Sequence, residues 1–282
     1  MIYSYFGISK QAVHQYQVRS FNRQVYEQDL LEQVKLQRQI HPRMGSKVLH
    51  HVLKPEIGRI GFEILLRKNG FNLRKLKSYH RTTDSSWVRY KNLLAGRRLN
   101  SINQAWVSDL TYYMLKDRVC YITTIMDLYS RKIIGYAASL TMFSEESSMK
   151  CLKMALRTRG RLQPDLIHHS DRGSQYRFAK YIDLIQKAGG RISMCRSVYD
   201  NPHMERLNGT IKNDYLIPLG IDTFDELKQK LPIVINRYNS LRPHSELNKM
   251  TPAAFEQSQS LIPLSKRKQT VIKSEIFTTH SN

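Results

Sequence analysis

The sequence predicts an α/β protein in which a mixed five-stranded sheet with flanking helices follows a basic region made only of helices. Apolar residues recur at helical spacing in the first part, whereas from Asn103 onward they alternate with a period of two, as in half-buried strands. Residues 1–100 hold 19 Lys and Arg against 6 Asp and Glu, in a chain whose net charge is +22. Spacing and charge therefore both divide the chain into a basic helical part and an α/β part.

The basic part, residues 1–80, has the pattern of a helix-turn-helix type of DNA-binding region. Ser9 follows a turn glycine and is predicted to cap a short helix. Three further helices are predicted at Val25–Gln39, Met44–Leu53 and Ile60–Lys68, the last one closed by a C-cap at Asn69-Gly70. The alternative that this pattern leaves open is a plain helical bundle with a basic surface.

In residues 81–103 the apolar residues show neither helical spacing nor the alternation of a strand, so this segment is predicted as a linker. In the segment 104–218 the order is three strands, helix, strand, helix, strand and helix, which is that of a ribonuclease H-like fold. The helix after the third strand is predicted to start at Ser144, with acidic residues in its first turn, and to end near Arg159. The predicted strands are Trp106–Tyr113, Val119–Asp127, Lys132–Ala138, Leu166–Ser170 and Arg191–Met194.

The C-terminal part is predicted to be helical and then irregular. Residues 219–258 form the helical extension, in which Thr223 and Glu226 open a helix as a capping box. Pro232 lies inside that helix and is expected to kink or break it. Residues 259–282 are predicted as a polar basic tail.

Composition narrows the class of partner. A net charge of +22 and a pI near 10 indicate an anionic polymer, with nucleic acid as the first candidate. Cys120, Cys151 and Cys195 lie far apart and are interpreted as buried small residues, because no C-x-x-C spacing occurs. Without an apolar run of about 18 residues or a secretion signal, we expect no membrane association and a cytoplasmic, nucleoid-associated bacterial protein.

Two aspartates are candidate metal ligands. Asp109 lies inside the apolar run Trp106–Tyr112, where a strand would half-bury it, and a buried carboxylate needs a partner or a metal ion. Asp171 follows the strand that ends at Ser170, and the ends of strands in α/β sheets are where ligands bind. The alternatives are a solvent-facing Asp109 and an Asp171 that only serves a turn beside Gly173.

A third carboxylate stands on a predicted helix. Asp200-Asn201-Pro202 is a start signal, and Met204, Leu207, Ile211 and Tyr215 would then form its buried stripe. Glu205, either Asn208 or Gly209, and Lys212 fall on a different face, which would bring a carboxylate and an ammonium group together. A surface pair without function is the alternative.

Three carboxylates suit a phosphodiester reaction with metal ions. Mg²⁺, or Mn²⁺ in its place, prefers hard oxygen ligands, and two ions about 3.5–4 Å apart stabilise both the attacking and the leaving oxygen. The sequence contains neither a P-loop nor an H-E-x-x-H motif. The pair His168-His169 lacks the spacing of a zinc site and is interpreted as part of a strand.

Several motifs together resemble one family. They are Trp106–Tyr112, Met126–Arg131, His169–Tyr176 and Tyr199–Asn201, with His41–Gly45 near the start and Tyr238-Asn239, Arg242-Pro243-His244 and Thr251-Pro252 near the end. The chain resembles an insertion-sequence transposase. More narrowly, it is similar to the OrfB catalytic protein of the third insertion-sequence family, whose core is related to that of retroviral integrases.

This resemblance implies a function and its residues. Asp109, Asp171 and Glu205 match the D, D, E triad, although the 33 residues between Asp171 and Glu205 are slightly fewer than the family has. Lys212 matches the lysine that contacts DNA near the site. The implied reaction is a Mg²⁺-dependent nick at an element end, followed by attack of the freed 3'-hydroxyl on a second phosphodiester. Further predicted DNA-binding residues are Arg172, Asn208, Arg43, Lys47, Arg74, Lys75 and Lys77.

The resemblance also implies partners. These are the terminal inverted repeats and the target DNA, the product of an upstream OrfA frame as a separate chain or a fusion, and further copies of the chain on DNA. Because no leucine-rich heptad run is present, the isolated chain is expected to multimerise poorly without DNA. Two other functions stay open: a non-catalytic DNA-binding protein or domesticated remnant, and a ribonuclease H-like nuclease.

Overall fold

The computed structural model describes residues 7, 9–73, 90–160, 162, 164–195 and 201–272. The chain forms two compact units, Met1–Leu76 and Lys77–Asn282. Arg74, Lys75 and Lys77, which are predicted to bind DNA, lie outside the described residues, as does Tyr199-Asp200.

The first unit consists of α1 (Lys10–Ile40), α2 (Ser46–Leu53) and α3 (Arg59–Lys68). The predicted division of the first segment into a short helix and a second helix from Val25 is wrong, because α1 is continuous over 31 residues. No Gly or Pro interrupts this stretch, so the backbone has no reason to turn. The core that holds the three helices together consists of Leu30, Val34, Met44, Leu49, Phe62, Leu65 and Leu66.

The ends of these helices follow the predicted chemistry. The Ser9 hydroxyl accepts a hydrogen bond from the amide of Ala12 at 3.0 Å, as an N-cap does. The chain leaves α3 through Gly70 at φ +74°, a left-handed conformation that favours glycine. Both predicted caps are therefore confirmed.

The second unit contains the predicted mixed sheet. A short strand, β1 (Arg98–Leu99), comes first in the chain and lies outside this sheet. The strands of the sheet are β2 (Ala105–Met114), β3 (Val119–Asp127), β4 (Ile133–Ser139), β5 (Ile167–Ser170) and β6 (Arg191–Met194). Their spatial order is β4-β3-β2-β5-β6, with β2, β3 and β4 antiparallel and with β5 parallel to both β2 and β6. This order confirms the ribonuclease H-like fold.

Helices cover both faces of the sheet. They are α4 (Ser148–Arg159), α5 (Ser174–Arg177), α6 (Ala179–Lys187), α7 (Pro202–Gly209), a π-helical segment (Thr210–Leu216), α8 (Phe224–Ser240), α9 (Pro252–Ser260) and the short 3₁₀ turns Ser245–Leu247 and Leu264–Lys266. Val107 faces a core shared with α7 and α8, whereas its neighbour Trp106 faces a core shared with α4 and α6. Gly135 of β4 allows α4 to approach closely, because a Cβ there would lie 2.4 Å from the carbonyl oxygen of Cys151.

Three details differ from the prediction. The helix α4 begins at Ser148 and not at Ser144, because Glu146 instead accepts a hydrogen bond from Thr141 at 2.8 Å in the preceding turn. Helix α8 runs through Pro232 without ending, because buried residues on both sides of the proline, Leu231 and Val234 among them, pack into the core.

The third difference concerns the predicted linker and tail. Two short strands, β1 (Arg98–Leu99) and β7 (Thr270–Val271), pair antiparallel with each other. A strand of two residues is too short to show a period, so only the pairing across the chain reveals it.

Two simpler expectations hold, one for the cysteines and one for the histidine pair. All three cysteines are free and buried. His168 and His169 lie in β5 and are almost fully buried. None of the helices in the described part of the chain is long and apolar enough to cross a membrane.

A buried network of charges joins β3, α4 and α9. The carboxylate of Asp127 is fully buried and accepts hydrogen bonds from the amides of Asn103 at 2.7 Å and Ser130 at 3.1 Å. Nη2 of Arg159, at the end of α4, lies 3.7 Å from the same carboxylate. Nη1 of Arg159 also donates to Glu256 of α9 at 3.1 Å. Burial raises the pKa of Asp127, and the Arg159 guanidinium opposes that shift.

Candidate active site

Asp109 lies in the middle of β2, on the face that packs against α7. It is half-buried and stands opposite Thr124 of β3. The amide group of Asn208 donates a hydrogen bond to its Oδ2 at 2.7 Å. Burial, together with the nearby carboxylates of Asp171 and Glu205, raises the pKa of Asp109 to about 8. The side chain therefore lies in a desolvated, negatively charged surrounding.

Asp171 is brought level with Asp109 by the register of the strands. β5 runs parallel to β2 with His169 beside Val107, so Asp109 and Asp171 both follow two residues later. Oδ1 of Asp171 accepts a hydrogen bond from the amide of Gly173 at 3.0 Å, as the turn interpretation requires. Burial raises the pKa of this carboxyl too. The turn contact leaves Oδ2 of Asp171 for a further ligand.

Glu205 stands on the first turn of α7. The carbonyl of Asn201, the N-cap residue, accepts a hydrogen bond from the amide of Glu205 at 3.2 Å, and Pro202 occupies the first helical position. The side-chain amide of Asn201 donates to the carbonyl of Ser108 at 3.3 Å, which anchors the helix start beside Asp109. The predicted buried stripe is confirmed for Met204, Leu207, Ile211 and Tyr215.

The three carboxylates are neighbours, but they do not form a closed cage. Asp109 experiences the charges of both Asp171 and Glu205, whereas the Glu205 side chain is itself exposed. Among the residues that the structure describes, no group of three or more His, Cys, Asp or Glu side chains is arranged to hold a metal ion. The donor type fits Mg²⁺ or Mn²⁺, because these ions prefer carboxylate oxygens and would offset the repulsion between like charges.

Lys212 follows in the π-helical segment, where the amide of Ile217 donates to the carbonyl of Lys212 at 2.9 Å. Its Nζ lies 4.2 Å from the centre of the Tyr112 ring, three residues beyond Asp109 on β2. Burial lowers the pKa of this ammonium group. Lys212 thus packs against β2, at a ring three residues along the strand from Asp109.

The other predicted DNA-binding residues have diverse surroundings. Nε of Arg172 donates to the carbonyl of Cys195 at 2.7 Å. Asn208 is only 7% exposed, and Asp109 binds its amide. In the helical unit, Arg43 is half-buried and Lys47 is exposed.

Sequence reasoning missed the contacts that support the aspartates. The hydroxyl of Ser108 donates to the buried hydroxyl of Tyr176 at 3.0 Å, and the hydroxyl of Thr124 donates to Oδ1 of Asn208 at 3.4 Å. These contacts join residues 68 and 84 positions apart, so no local pattern could have revealed them.

Comparison with known proteins assigns this region to a family. Residues 100–199 and 191–252 each match a family described as Integrase core domain. The chain is 39% identical over 161 residues to the Insertion element IS600 uncharacterized 31 kDa protein of Shigella sonnei, covering 55% of this chain and 57% of that protein. It is 32% identical to the Transposase for insertion sequence element IS904 of Lactococcus lactis, covering 56% of this chain and 63% of that protein. The matches thus span about three fifths of these relatives.

Two solved structures are similar at low identity. The magnesium complex of the HTLV-2 integrase catalytic core domain has 18% identity and a TM-score of 0.45, covering 59% of this chain and 99% of that one. The integrase of the simian T-cell lymphotropic virus intasome has 17% identity and a TM-score of 0.48, covering 80% of this chain and 76% of that one. The fold assignment rests on the strand order given above. Residues 100–252 therefore belong to the integrase core domain family, and the chain is similar to transposases of insertion sequences.

Proposed function

We propose that this protein is a DDE transposase that nicks DNA at the ends of an insertion sequence and joins the freed 3'-hydroxyl to a second phosphodiester. Asp109, Asp171 and Glu205 are the proposed ligands of two Mg²⁺ or Mn²⁺ ions. The observation that supports this most is the parallel pairing of β2 with β5, which brings Asp171, just after β5, level with Asp109 of β2, where the charge of Asp171 raises the pKa of Asp109. When bound, the two cations stabilise the attacking and the leaving oxygen.

The side chains of the protein then have separate roles. Asp109 and Asp171 hold the cations, and Glu205 completes the site from α7. Asn208 fixes the orientation of Asp109, so we assign it a positioning role in place of the predicted DNA contact. Lys212, which packs on Tyr112 of the strand that carries Asp109, binds a phosphate oxygen of the reacting strand.

DNA is the proposed partner of both units. The basic first part, with Arg43 and Lys47, binds the terminal inverted repeats, because phosphate contacts from Lys and Arg dominate the affinity for DNA. Target DNA binds at the three carboxylates. The product of an upstream OrfA frame and further copies of the chain are the proposed protein partners in the active assembly.

The proposal is tested with the full chain, alone and with the upstream frame's product, on duplexes that carry the inverted repeats of its own element. Nicked and joined products are expected with Mg²⁺ or Mn²⁺ and are expected to disappear with EDTA. An RNA·DNA hybrid of the same sequence separates this function from that of a ribonuclease H-like nuclease. Joined products in EDTA, or cleavage of the hybrid alone, would contradict the proposal, and binding without any reaction would favour the non-catalytic alternative.

Replacing Asn208 by Ala tests its positioning role. The Asp109 carboxylate loses a 2.7 Å hydrogen bond, so the Mg²⁺ concentration for half-maximal strand transfer should rise about 10- to 100-fold. A Mg²⁺ titration of strand transfer measures this. Asn236→Ala, at an exposed position on α8, is the matched control and should leave the titration unchanged. An unchanged titration for Asn208→Ala would refute the role.

A further inference from the structure

The helix that carries Glu205 changes its winding midway. α7 ends at Gly209, and the chain continues as a π-helix over Thr210–Leu216, where the amide of Ile217 reaches back to the carbonyl of Lys212. π-Helical turns are rare and occur often at functional sites. A turn of this kind requires support from the surrounding structure.

The wider winding moves Lys212. On an unbroken α-helix, a residue seven positions after Glu205 lies within about 20° of it around the helix axis. Each residue of a π-helix rotates the chain about the helix axis by less than the roughly 100° of an α-helix. Lys212 is therefore displaced around the axis toward the side on which Asn208 lies. That side faces β2, and the Lys212 ammonium group accordingly lies over the ring of Tyr112.

Arg242, from the Arg242-Pro243-His244 motif after α8, contacts this π-helix at two consecutive residues. Its Nη2 donates to Oδ2 of Asp214 at 2.8 Å, and both side chains are mostly buried, with 21% and 23% exposed. Its guanidinium carbon lies 5.8 Å from the centre of the fully buried Tyr215 ring. A planar guanidinium group can donate to a carboxylate with its edge while its face packs on an aromatic ring, a flat geometry that an ammonium group does not reproduce.

We propose that Arg242 is a positioning residue for strand transfer: it holds the π-helical turn so that Lys212 lies against β2, over the ring of Tyr112. This inference rests on the proposed function of Lys212 as a phosphate ligand. Arg242 acts through Asp214 and Tyr215 and does not itself touch the reacting DNA. In this way the Arg242-Pro243-His244 motif orients Lys212, a residue of the proposed site.

Strand transfer with pre-cleaved ends tests the coupling. Arg242→Gln and Lys212→Ala should each lower the rate about tenfold, and the double variant should be no slower than Lys212→Ala alone. Arg242→Lys should recover part of the rate, since it keeps the charge beside Asp214. Arg118→Gln, which breaks an exposed pair with Asp117, is the control and should transfer strands like the wild type. If Arg242→Gln lowered the strand-transfer rate by the same factor in the wild type and in the Lys212→Ala variant, the proposal would be overturned, because Arg242 would then act independently of Lys212.

A second measurement does not depend on activity. Acetylation of Lys212 by acetic anhydride, followed by mass spectrometry, should become several-fold faster in Arg242→Gln, while acetylation of the exposed Lys228 stays constant. Unchanged Lys212 acetylation would show that Arg242 does not hold the turn. If acetylation rises but Lys212→Ala transfers strands normally, the positioning holds and the proposed role of Lys212 in the reaction fails.

Discussion

Asp109→Asn is expected to abolish both nicking and strand transfer, with a loss on the order of a thousandfold or more, because metal ligands act as a unit. Asn keeps the shape of the side chain but loses the charge that coordinates a cation. Because burial and the neighbouring carboxylates already disfavour that charge, the variant should fold and bind DNA as the wild type does. Wild type and Asp109→Asn are compared in product formation on labelled element ends and, in parallel, in binding to the same DNA.

Asp171→Asn and Glu205→Gln should have the same effect. The matched control is Asp117→Asn, because that carboxylate is 59% exposed and pairs with the exposed Arg118. It should retain full activity. A Glu205→Gln variant that joins strands at near the wild-type rate would remove Glu205 from the proposed site and would leave Asp109 and Asp171 without their third ligand.

Asp127→Ala is expected to destabilise the second unit by about 3–5 kcal/mol, because removal of one partner leaves the buried Arg159 without part of its countercharge. The amides of Asn103 and Ser130 also lose their acceptor inside the protein. Urea unfolding followed by tryptophan fluorescence measures the change, since the buried Trp106 lies in the same unit.

The control for this prediction is Asp183→Ala. Asp183 pairs with Lys187 on the surface of α6, and its side chain is 57% exposed. Exposed pairs of this kind contribute at most about 1 kcal/mol, so the unfolding midpoint should hardly move. If Asp127→Ala unfolded at the same urea concentration as Asp183→Ala, the network between β3, α4 and α9 would not stabilise the fold.

Local patterns in the sequence were sufficient to place most elements of the sheet. The strand Arg191–Met194 was predicted with its observed ends, and the buried stripe from Met204 to Tyr215 was predicted residue by residue. The capping box of Thr223 and Glu226 is present as well. These features depend on residues within a few positions of one another, so that spacing and side-chain type alone determine them.

The sequence also identified candidate residues, but not how they are held. It placed Asp109 inside a strand and Asp171 at a strand end. Only the parallel pairing of β2 with β5 brings them together, and only the fold reveals that Asn208 binds Asp109. Pairings between distant segments depend on the packing of the whole unit, which no window of the sequence contains.

Departures from local rules were decided by tertiary packing. Pro232 did not end α8, because buried neighbours on the same helix hold it in place, and Thr210–Leu216 became a π-helix that Arg242 contacts from 28 residues away. In both segments the backbone's local conformational preference is worth a few kcal/mol, and the burial of several side chains outweighs it. The sequence by itself therefore determined the five strands of the main sheet, the charge and the candidate carboxylates. The tertiary structure decided the winding of the Glu205 helix and the surroundings of each carboxylate, because those depend on contacts made only after the chain has folded.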